Sequence, residues 1–549
     1  MTSDDAPSVL AVFLAAVAAA PRAPLIHFVT AAGTETLTRG DIAGHAGVYR
    51  RLLHDEEATL GSVALIFLPH TPHLYGAFLG AMAAGLVPSF MPCPSAKQEP
   101  GRYWAAHAAL LDRIQPGALI TDRKTLADMR SAGLKIGCPV LVAEDVDLTA
   151  APAAPTLPLR QPLALLQHSS GTTGLKKGVA LTQDNVLMQV QSYSKSLSLN
   201  DNDVIVSWLP LYHDMGLAAC FLMPVITGTP VVHIDPFHWL ARPTLLLDLV
   251  DEHRGTLVWM PNFAFDHLTN VARGDWRLSF LRALINCSEP CRAATFERFG
   301  ERFGVPAAAM QCCYAMAEAT FAVTQTRLGE PPVVRAFRKD RLTLDDPVED
   351  DDATGVRLLS CGTCIEGAEV SIRDAAGGDV PDRTVGRIFV RGPFVFQGYF
   401  RNPELTAERL NDSWYDTRDI GFRDRGELFV LGRSDDVIIC NGKNIFAHDV
   451  EEAIEGVVGL KAGRCIALAL DDPRSGTQQL AVLAERDDGD PVSLKDATRA
   501  IMSRVFTAVA VSPRVVELLP PGWLVKTTSG KLGRAENLKK YLEWRMQDR

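Results

Sequence analysis

Short apolar runs separated by helix-length stretches recur along this chain, at Val63–Leu68, Leu163–Leu166, Val204–Trp208, Leu257–Met260 and Ala283–Ile285. Apolar runs bounded by turn residues suit strands covered on both faces, and their alternation with helices predicts layered α/β sheets. At 549 residues the chain is too long for one hydrophobic core, so two or more domains are expected. The proline-dense stretch at 150–158 (AAPAAPTLP) reads as a linker between two lobes. A second change of texture comes at Gly432–Asp436 (GRSDD), a charged turn after the predicted strand Glu427–Leu431. Beyond it, Cys465–Leu470 and Gln479–Ala484 read as strands of a small α+β unit. The expected fold is therefore α/β: a large, multi-lobed N-terminal domain of layered sheets over 1–433, and a small, mobile α+β domain over 434–549.

Charge narrows the function classes. With 55 basic against 65 acidic residues the chain carries −10, which argues against nucleic acid or an anionic membrane as main partner. No apolar run reaches the ~20 residues of a membrane span. The apolar stretch at 9–20 follows Asp4 and Asp5 rather than a base, so it reads as a first amphipathic helix and not a signal segment. Eleven cysteines without regular spacing suggest reduced thiols and a cytoplasmic protein. Cys361 and Cys364 have CxxC spacing, but no second pair completes a zinc site, and packing beside a strand end is the expected role. The acidic run Asp345–Asp352 reads as a solvated loop.

Between two of the apolar runs lies QHSSGTTGLKKGVALT at 167–182. Glycine lets a backbone approach closely, and N–H groups and hydroxyls of such a loop suit a polyanion; an ordinary Ser/Gly hairpin is the plain alternative. A P-loop requires GxxxxGK[ST], which neither Gly171–Gly178 nor Thr527–Lys531 satisfies. The loop instead heads an ordered series: LPLYHDMG at 209–216, YAMAE at 314–318, YDTRD at 415–419, Gly432-Arg433, and KTTSGK at 526–531. Taken singly, Asp419 is a turn residue, Glu318 a helix N-terminal acid, Lys531 a solvated base and His213 a loop histidine. In this order, over nearly the whole chain, the set resembles the acyl/aryl/aminoacyl adenylate-forming superfamily.

The resemblance implies a chemistry. Carboxylates are poor electrophiles, so ATP converts the acid to an acyl adenylate and pyrophosphate leaves. Ser169, Ser170, Gly171, Thr172, Thr173 and Lys177 match the cradle for the β- and γ-phosphates. Glu318 matches the Mg²⁺ carboxylate, since hard cations prefer oxygen. Asp419, with Arg433 beside it, matches the acceptor of the ribose hydroxyls, and Ser288, Glu289 and Tyr314 fall in nucleotide-binding stretches. Lys531 matches the cation placed where charge develops during adenylation. His213 matches the residue near the acyl carboxylate that opens or closes access, and Asp435 the hinge.

Within the superfamily the chain is most similar to the fatty acyl-AMP ligases. VSWLPLYHDMG at 206–216, PNFAF at 261–265, NCSEP at 286–290, Ala317-Glu318-Ala319 and DVIICNGKN at 436–444 carry that likeness. Amino-acid-activating domains usually carry an aspartate in a Phe-Asp-x-Ser stretch to hold the amine, whereas here the region reads Tyr212-His213-Asp214-Met215, and Ile439 stands where acyl-CoA ligases commonly carry a lysine. The stretch from Glu318 to Gly362 is longer than in typical CoA ligases; it reads either as that branch's insertion, which restrains the small domain, or as a plain surface loop. Ala315 stands where glycine is usual, Lys176 and Ala447 where proline is, and Gln183 where histidine is. The first leaves substrate size open. The expectation is a ligase that makes acyl-AMP from a carboxylic, fatty-type acid with ATP and Mg²⁺. It then hands the acyl group to a holo acyl carrier protein in trans, with an acyl-CoA ligase as the rival. Residues 526–549 hold Lys526, Lys531, Arg534, Lys539, Lys540, Arg545 and Arg549 against Glu536, Glu543 and Asp548. This basic excess suits an acidic carrier, and equally suits a solvated terminal helix burying Leu538, Tyr541 and Leu542.

Overall fold

The computed structural model describes residues 7–94, 100–150, 155, 157–158, 160–169, 177–440, 443–472, 477–487, 493–526 and 531–547. The linker stretch at 150–158 lies largely outside them.

The expected α/β layering is present. The largest sheet has nine strands, in the spatial order Thr363–Cys364, Ala322–Gln325, Met310–Ala315, Ala283–Asn286, Leu257–Met260, Ile205–Ser207, Val231–Ile234, Pro24–Thr30 and Gly33–Thr38. From Met310–Ala315 to Pro24–Thr30 the neighbours run parallel. Parallel pairing needs crossovers that cover both faces, and strands such as Leu257–Met260 and Val231–Ile234 are buried at every residue. A second, parallel sheet has the order Val87–Phe90, Val63–Phe67, Ala118–Thr121, Val140–Val142. A third, antiparallel sheet joins Glu369–Arg373, Gly386–Arg391, Trp414–Asp424, Leu410–Asn411 and Glu427–Arg433. The N-terminal stretch is a helix, Val9–Ala19, capped by the Ser8 side chain.

Residues from Ile438 onward fill cores of their own. Three strands, Leu460–Asp472, Thr477–Arg486 and Val515–Leu519, form a sheet with apolar clusters built around Val450, Ile501 and Val505, and around Ile466, Leu483 and Tyr541. The last helix, Arg534–Gln547, differs from expectation in its buried face. Asn537 and Tyr541 are buried and Leu538 and Trp544 pack against the cluster, whereas Leu542 is 45% exposed. At about 100° per residue, positions 537, 538, 541 and 544 share one third of the helix surface and 542 falls at its edge.

The basic excess of this segment is also partly spent internally. Arg534 pairs with Glu451 (2.5 and 3.1 Å) and Asp436 (3.0 Å), and Lys540 donates to the Trp523 carbonyl with its ammonium 4.3 Å from that indole.

The acidic run 345–352 is not the solvated loop its composition suggests. Glu349 pairs with Arg338 (2.7 Å) and Arg341 (3.1 Å), Asp350 with Arg383 (3.1 Å), and Val348 is buried in a cluster with Phe337, Phe422 and Phe429. Lys339, upstream of the run, reaches Asp449 (3.1 Å) and the Ala508 carbonyl (2.9 Å) in the C-terminal unit. All eleven cysteines are free, Cys361 buried and Cys364 exposed.

Candidate active site

Chemistry-bearing residues gather at the carboxyl ends of the parallel strands, where open α/β sheets bind ligands. The opening loop sits between antiparallel strands Leu163–Ser169 and Lys177–Thr182. Ser170, Gly171, Thr172 and Thr173 lie outside the described residues, as does the side chain of Ser169. Lys177 opens the second strand, with its ammonium 5.6 Å from the Tyr399 ring. Burial lowers the Lys177 pKa, as do Arg409 and Arg433, with Glu318 opposing them.

Helix Gln183–Ser196 follows that strand because Thr182 and Asn185 form a capping box. The same Asn185 amide donates to the carbonyls of Pro393 (2.8 Å) and Val395 (3.0 Å). Phe396 N–H donates to the Glu318 carbonyl (2.7 Å), and Phe400 N–H to that of Gly178 (2.7 Å). This backbone lacing presents Tyr399 to the site. Its hydroxyl donates to Glu318 Oε1 (2.8 Å) and lies 3.3 Å from the Tyr415 hydroxyl. Burial, reinforced by Glu318, raises the Tyr399 pKa, so it remains a donor at neutral pH. Tyr399 and Tyr415 were missed in the sequence because each hydroxyl reaches Glu318 from a distant segment. The aromatic stretch FVFQGYF at 394–400, beside a strand, was the available signal.

Asp419 lies in strand Trp414–Asp424, directly across from Arg433 of strand Glu427–Arg433. That register sets Arg433 Nε 3.3 Å from Asp419 Oδ1, while Tyr314 donates to Oδ2 at 2.5 Å and Asp419 N–H donates to Thr417 Oγ1. Burial raises the Asp419 pKa; Arg433 and the Tyr314 hydroxyl oppose it. Glu318 and Arg433 are electrostatically linked, so Glu318, Asp419, Lys177 and Arg433 form one charged cluster.

Lys531 Nζ donates to the Ser288 carbonyl at 2.5 Å and helps hold the Asp214 carboxylate. His213 Nδ1 lies 2.6 Å from Asp214 Oδ1. Burial pushes the Asp214 pKa up, but His213 and the Met215 amide outweigh it and hold it below the usual value. The tight 210–216 turn needs Gly216, where a Cβ would meet the Pro210 carbonyl oxygen at 2.3 Å. Glu289 accepts from Phe263 N–H at 3.0 Å rather than facing the charged cluster. Ser288, Thr320 and Arg418 adopt positive φ (71°, 63° and 64°), each beside a residue singled out above. Such strain costs about 1–3 kcal/mol per residue and concentrates at functional sites.

The family model of the AMP-binding enzyme matches residues 13–400. The chain belongs to the AMP-binding enzyme family. It is 30% identical over 548 residues to the long-chain-fatty-acid–AMP ligase FadD26 of Mycobacterium marinum, covering 92% of this chain and 91% of that protein. It is 31% identical over 546 residues to the 4-hydroxyphenylalkanoate adenylyltransferase of the same species, covering 92% and 86%. Among solved structures it resembles a fatty acyl-adenylate ligase from a study of the E. coli and L. pneumophila enzymes, with a TM-score of 0.87 at 26% identity over all of both chains. A fatty acyl-adenylate ligase from L. pneumophila in complex with acyl adenylate and pyrophosphate gives a TM-score of 0.74 at 26% identity, covering 98% and 96%.

As an AMP-binding enzyme the chain uses ATP. Among the described residues no cluster of three or more His, Cys, Asp or Glu side chains could hold a metal on its own. One buried carboxylate, Glu318, with its second oxygen free of the Tyr399 bond, fits a Mg²⁺ ion that draws its other ligands from phosphates and water. No helix among the described residues is long and apolar enough to cross a membrane.

Proposed function

We propose that this AMP-binding enzyme is a fatty acyl-AMP ligase that converts a carboxylic acid of the fatty-acyl class to acyl-AMP, then loads it onto a carrier protein's phosphopantetheine thiol. The observation that carries the reading is the gathering of Lys177, Glu318, Asp419, Arg433 and Lys531 around one set of strand ends, in a chain alike over its full length to fatty acyl-adenylate ligases.

In the first half-reaction a carboxylate oxygen attacks the α-phosphorus of ATP, the bond to the bridging oxygen breaks, and pyrophosphate leaves. Lys531 neutralises charge on the carboxylate and α-phosphate oxygens as the new bond forms. Lys177 and the loop before it hold the departing phosphates. Asp419 accepts the ribose hydroxyls and is kept in place by Arg433 and Tyr314. Glu318, fixed by Tyr399, would hold Mg²⁺, which spreads the phosphate charge. In the second half-reaction the carrier thiol attacks the acyl carbon and AMP departs, the thiol proton passing to solvent. His213 stands at the acyl end, oriented by Asp214.

We place the mobile unit at 434–549, with Asp435 as its hinge. Asp435 lies in the 3₁₀ turn Ser434–Asp436 and pairs with Arg418 at 3.1 Å. Free CoA is the weaker acceptor in this reading, because Lys339 ties the inserted segment to the C-terminal unit that must rotate for thiolation.

The test is ATP–pyrophosphate exchange with a panel of acids, followed by product analysis with CoA or a phosphopantetheinylated carrier as acceptor. Acid-dependent exchange with loading of the carrier is expected. Rapid acyl-CoA formation by the intact protein would sink the carrier assignment and leave adenylation standing.

A further inference from the structure

The loop 286–292 is fixed at both ends by one side chain. Asn262, the first residue of helix Asn262–Val271, accepts on its Oδ1 from the Asn286 side-chain amide (2.9 Å) and from the Arg292 backbone N–H (3.3 Å). Between these two ties sits Ser288, at φ 71°, whose carbonyl accepts the Lys531 ammonium.

Arg292 gives the same loop a second grip on the C-terminal unit. Its guanidinium spreads over two carboxylates, one terminal nitrogen 3.4 Å from Glu452 and the other 3.6 Å from Glu455. Glu452 lies on helix Ala447–Ala453, and Glu455 follows in the turn that extends it, its N–H donating to the Glu452 carbonyl at 3.1 Å. The residue before Glu452, Glu451, holds Arg534 by two bonds (2.5 and 3.1 Å) and accepts from Ala467 N–H at 2.9 Å. Arg534 opens the last helix, three residues after Lys531. The contacts close a ring, from loop 286–292 through Arg292, helix Ala447–Ala453, Arg534 and Lys531 back to Ser288 of the same loop.

We infer that Arg292 is a positioning residue for Lys531: its pairs with Glu452 and Glu455 seat the C-terminal unit in the pose that forms acyl-AMP and part when that unit swings for acyl transfer. This rests on the adenylation reading above and adds a residue to it. A lysine side chain has four rotatable bonds, so a bond to one carbonyl does not place its ammonium unless the backbone that carries it is held independently. Small misplacement of a reacting group is costly in rate, which is what the second grip prevents. The grip is also built to release. Arg292, Glu452 and Glu455 are 32%, 51% and 62% exposed, so water takes up each charge when the pairs part, whereas an apolar seat would expose its surface to water at every turnover.

The experiment measures the half-reactions apart in single turnovers, using whichever of octanoate, dodecanoate and hexadecanoate gives the fastest ATP–pyrophosphate exchange. One assay follows acyl-AMP formation, the other transfer of supplied acyl-AMP to phosphopantetheine. Half-exposed pairs are weak singly, so Arg292→Gln should slow acyl-AMP formation about three- to tenfold, with the KM for ATP within about twofold. Transfer should be unchanged or faster. The backbone bond to Asn262 survives this substitution, so the loop keeps its shape. Glu452→Arg with Glu455→Arg should slow acyl-AMP formation at least as much, and adding Arg292→Glu should restore it to within about twofold. If the triple variant fails to fold, Arg292→Lys carries the rescue and should recover at least half of the loss. Lys339→Ala, which removes a tie to the same helix from outside loop 286–292, is the control and should leave acyl-AMP formation unchanged. Normal acyl-AMP formation in Arg292→Gln, equal loss in both half-reactions, no recovery in the folded rescue variant, or the same loss in Lys339→Ala overturns the inference with adenylation intact. Exchange with none of the three acids overturns it together with the reading it rests on.

Discussion

In the proposed mechanism Lys531 is the residue on which the two half-reactions separate. It reaches the Ser288 carbonyl from the C-terminal unit, so its place beside the reacting atoms depends on how that unit is seated. Lys531→Ala should lower acyl-AMP formation by about 10²-fold or more, by analogy with the loss of one preorganised charge-stabilising donor. Transfer from supplied acyl-AMP should survive, and single-turnover assays of each half-reaction check both. Asp419 gives a pH signature. Its carboxyl is raised by burial, against the pull of Arg433 and Tyr314, so it loses its charge at a higher pH than an ordinary carboxyl. In the proposed mechanism the ionised form accepts the ribose hydroxyls; ATP binding should therefore be full above the raised value and weaken as pH falls through it. For stability the sign is opposite: folding favours the protonated form of a raised carboxyl, so acidification relieves that burial cost. The KM for ATP should climb on acidification, and in Asp419→Asn it should start higher and stay flat.

At the scale of elements, the 3₁₀ turn Ser434–Asp436 joins the strand that ends at Arg433 to the hairpin Val437–Cys440 and Lys443–Phe446. Asp435 is tied to Arg418 on one side, while its neighbour Asp436 is tied to Arg534 on the other. A turn held by partners in both units is suited to exchange one set for another as the smaller unit swings. Proline fixes φ at the proposed hinge itself. Asp435→Pro should therefore leave acyl-AMP formation within about twofold and slow acyl transfer about tenfold or more. Equal loss in both half-reactions would place the hinge elsewhere. The hairpin strands Leu163–Ser169 and Lys177–Thr182 were legible as apolar runs beside a Gly-rich loop, and the structure adds that Gly178 and Ala180 bond to the 398–400 segment. No local pattern shows that attachment, because its partner lies far along the chain.

In the whole molecule, the segment from Val334 to Leu359 links the two units. Its own hairpin, Val334–Phe337 with Val356–Leu359, is anchored by Phe337 in the aromatic cluster with Phe422 and Phe429, and Lys339 extends from it to Asp449 and Ala508. Lys339→Ala removes that tie without disturbing the cluster around Val348. A half-exposed ion pair is worth at most ~1 kcal/mol, so CoA thioesterification should rise only about two- to fivefold, with acyl-AMP formation unchanged. Competition between CoA and carrier in one reaction reads this directly. A lower CoA rate would mean that the link assists rotation rather than restraining it.

The sequence by itself determined the α/β layering, since a continuous apolar run such as Leu257–Met260 has no stable place except between covering helices. It also determined the family, because ordered motifs survive in the chain whatever their distance in space. Only the tertiary structure decided which groups meet. Tyr399 and Tyr415 hold Glu318, and Glu289 turns to Phe263. The acids of 345–352 find arginines, Arg534 and Lys540 are drawn inward, and Leu542 is left outside. The physical reason is common to all of these. Hydrophobic periodicity is a local property of the chain, whereas a buried charge or hydroxyl must find its partner wherever folding brings one within about 3 Å.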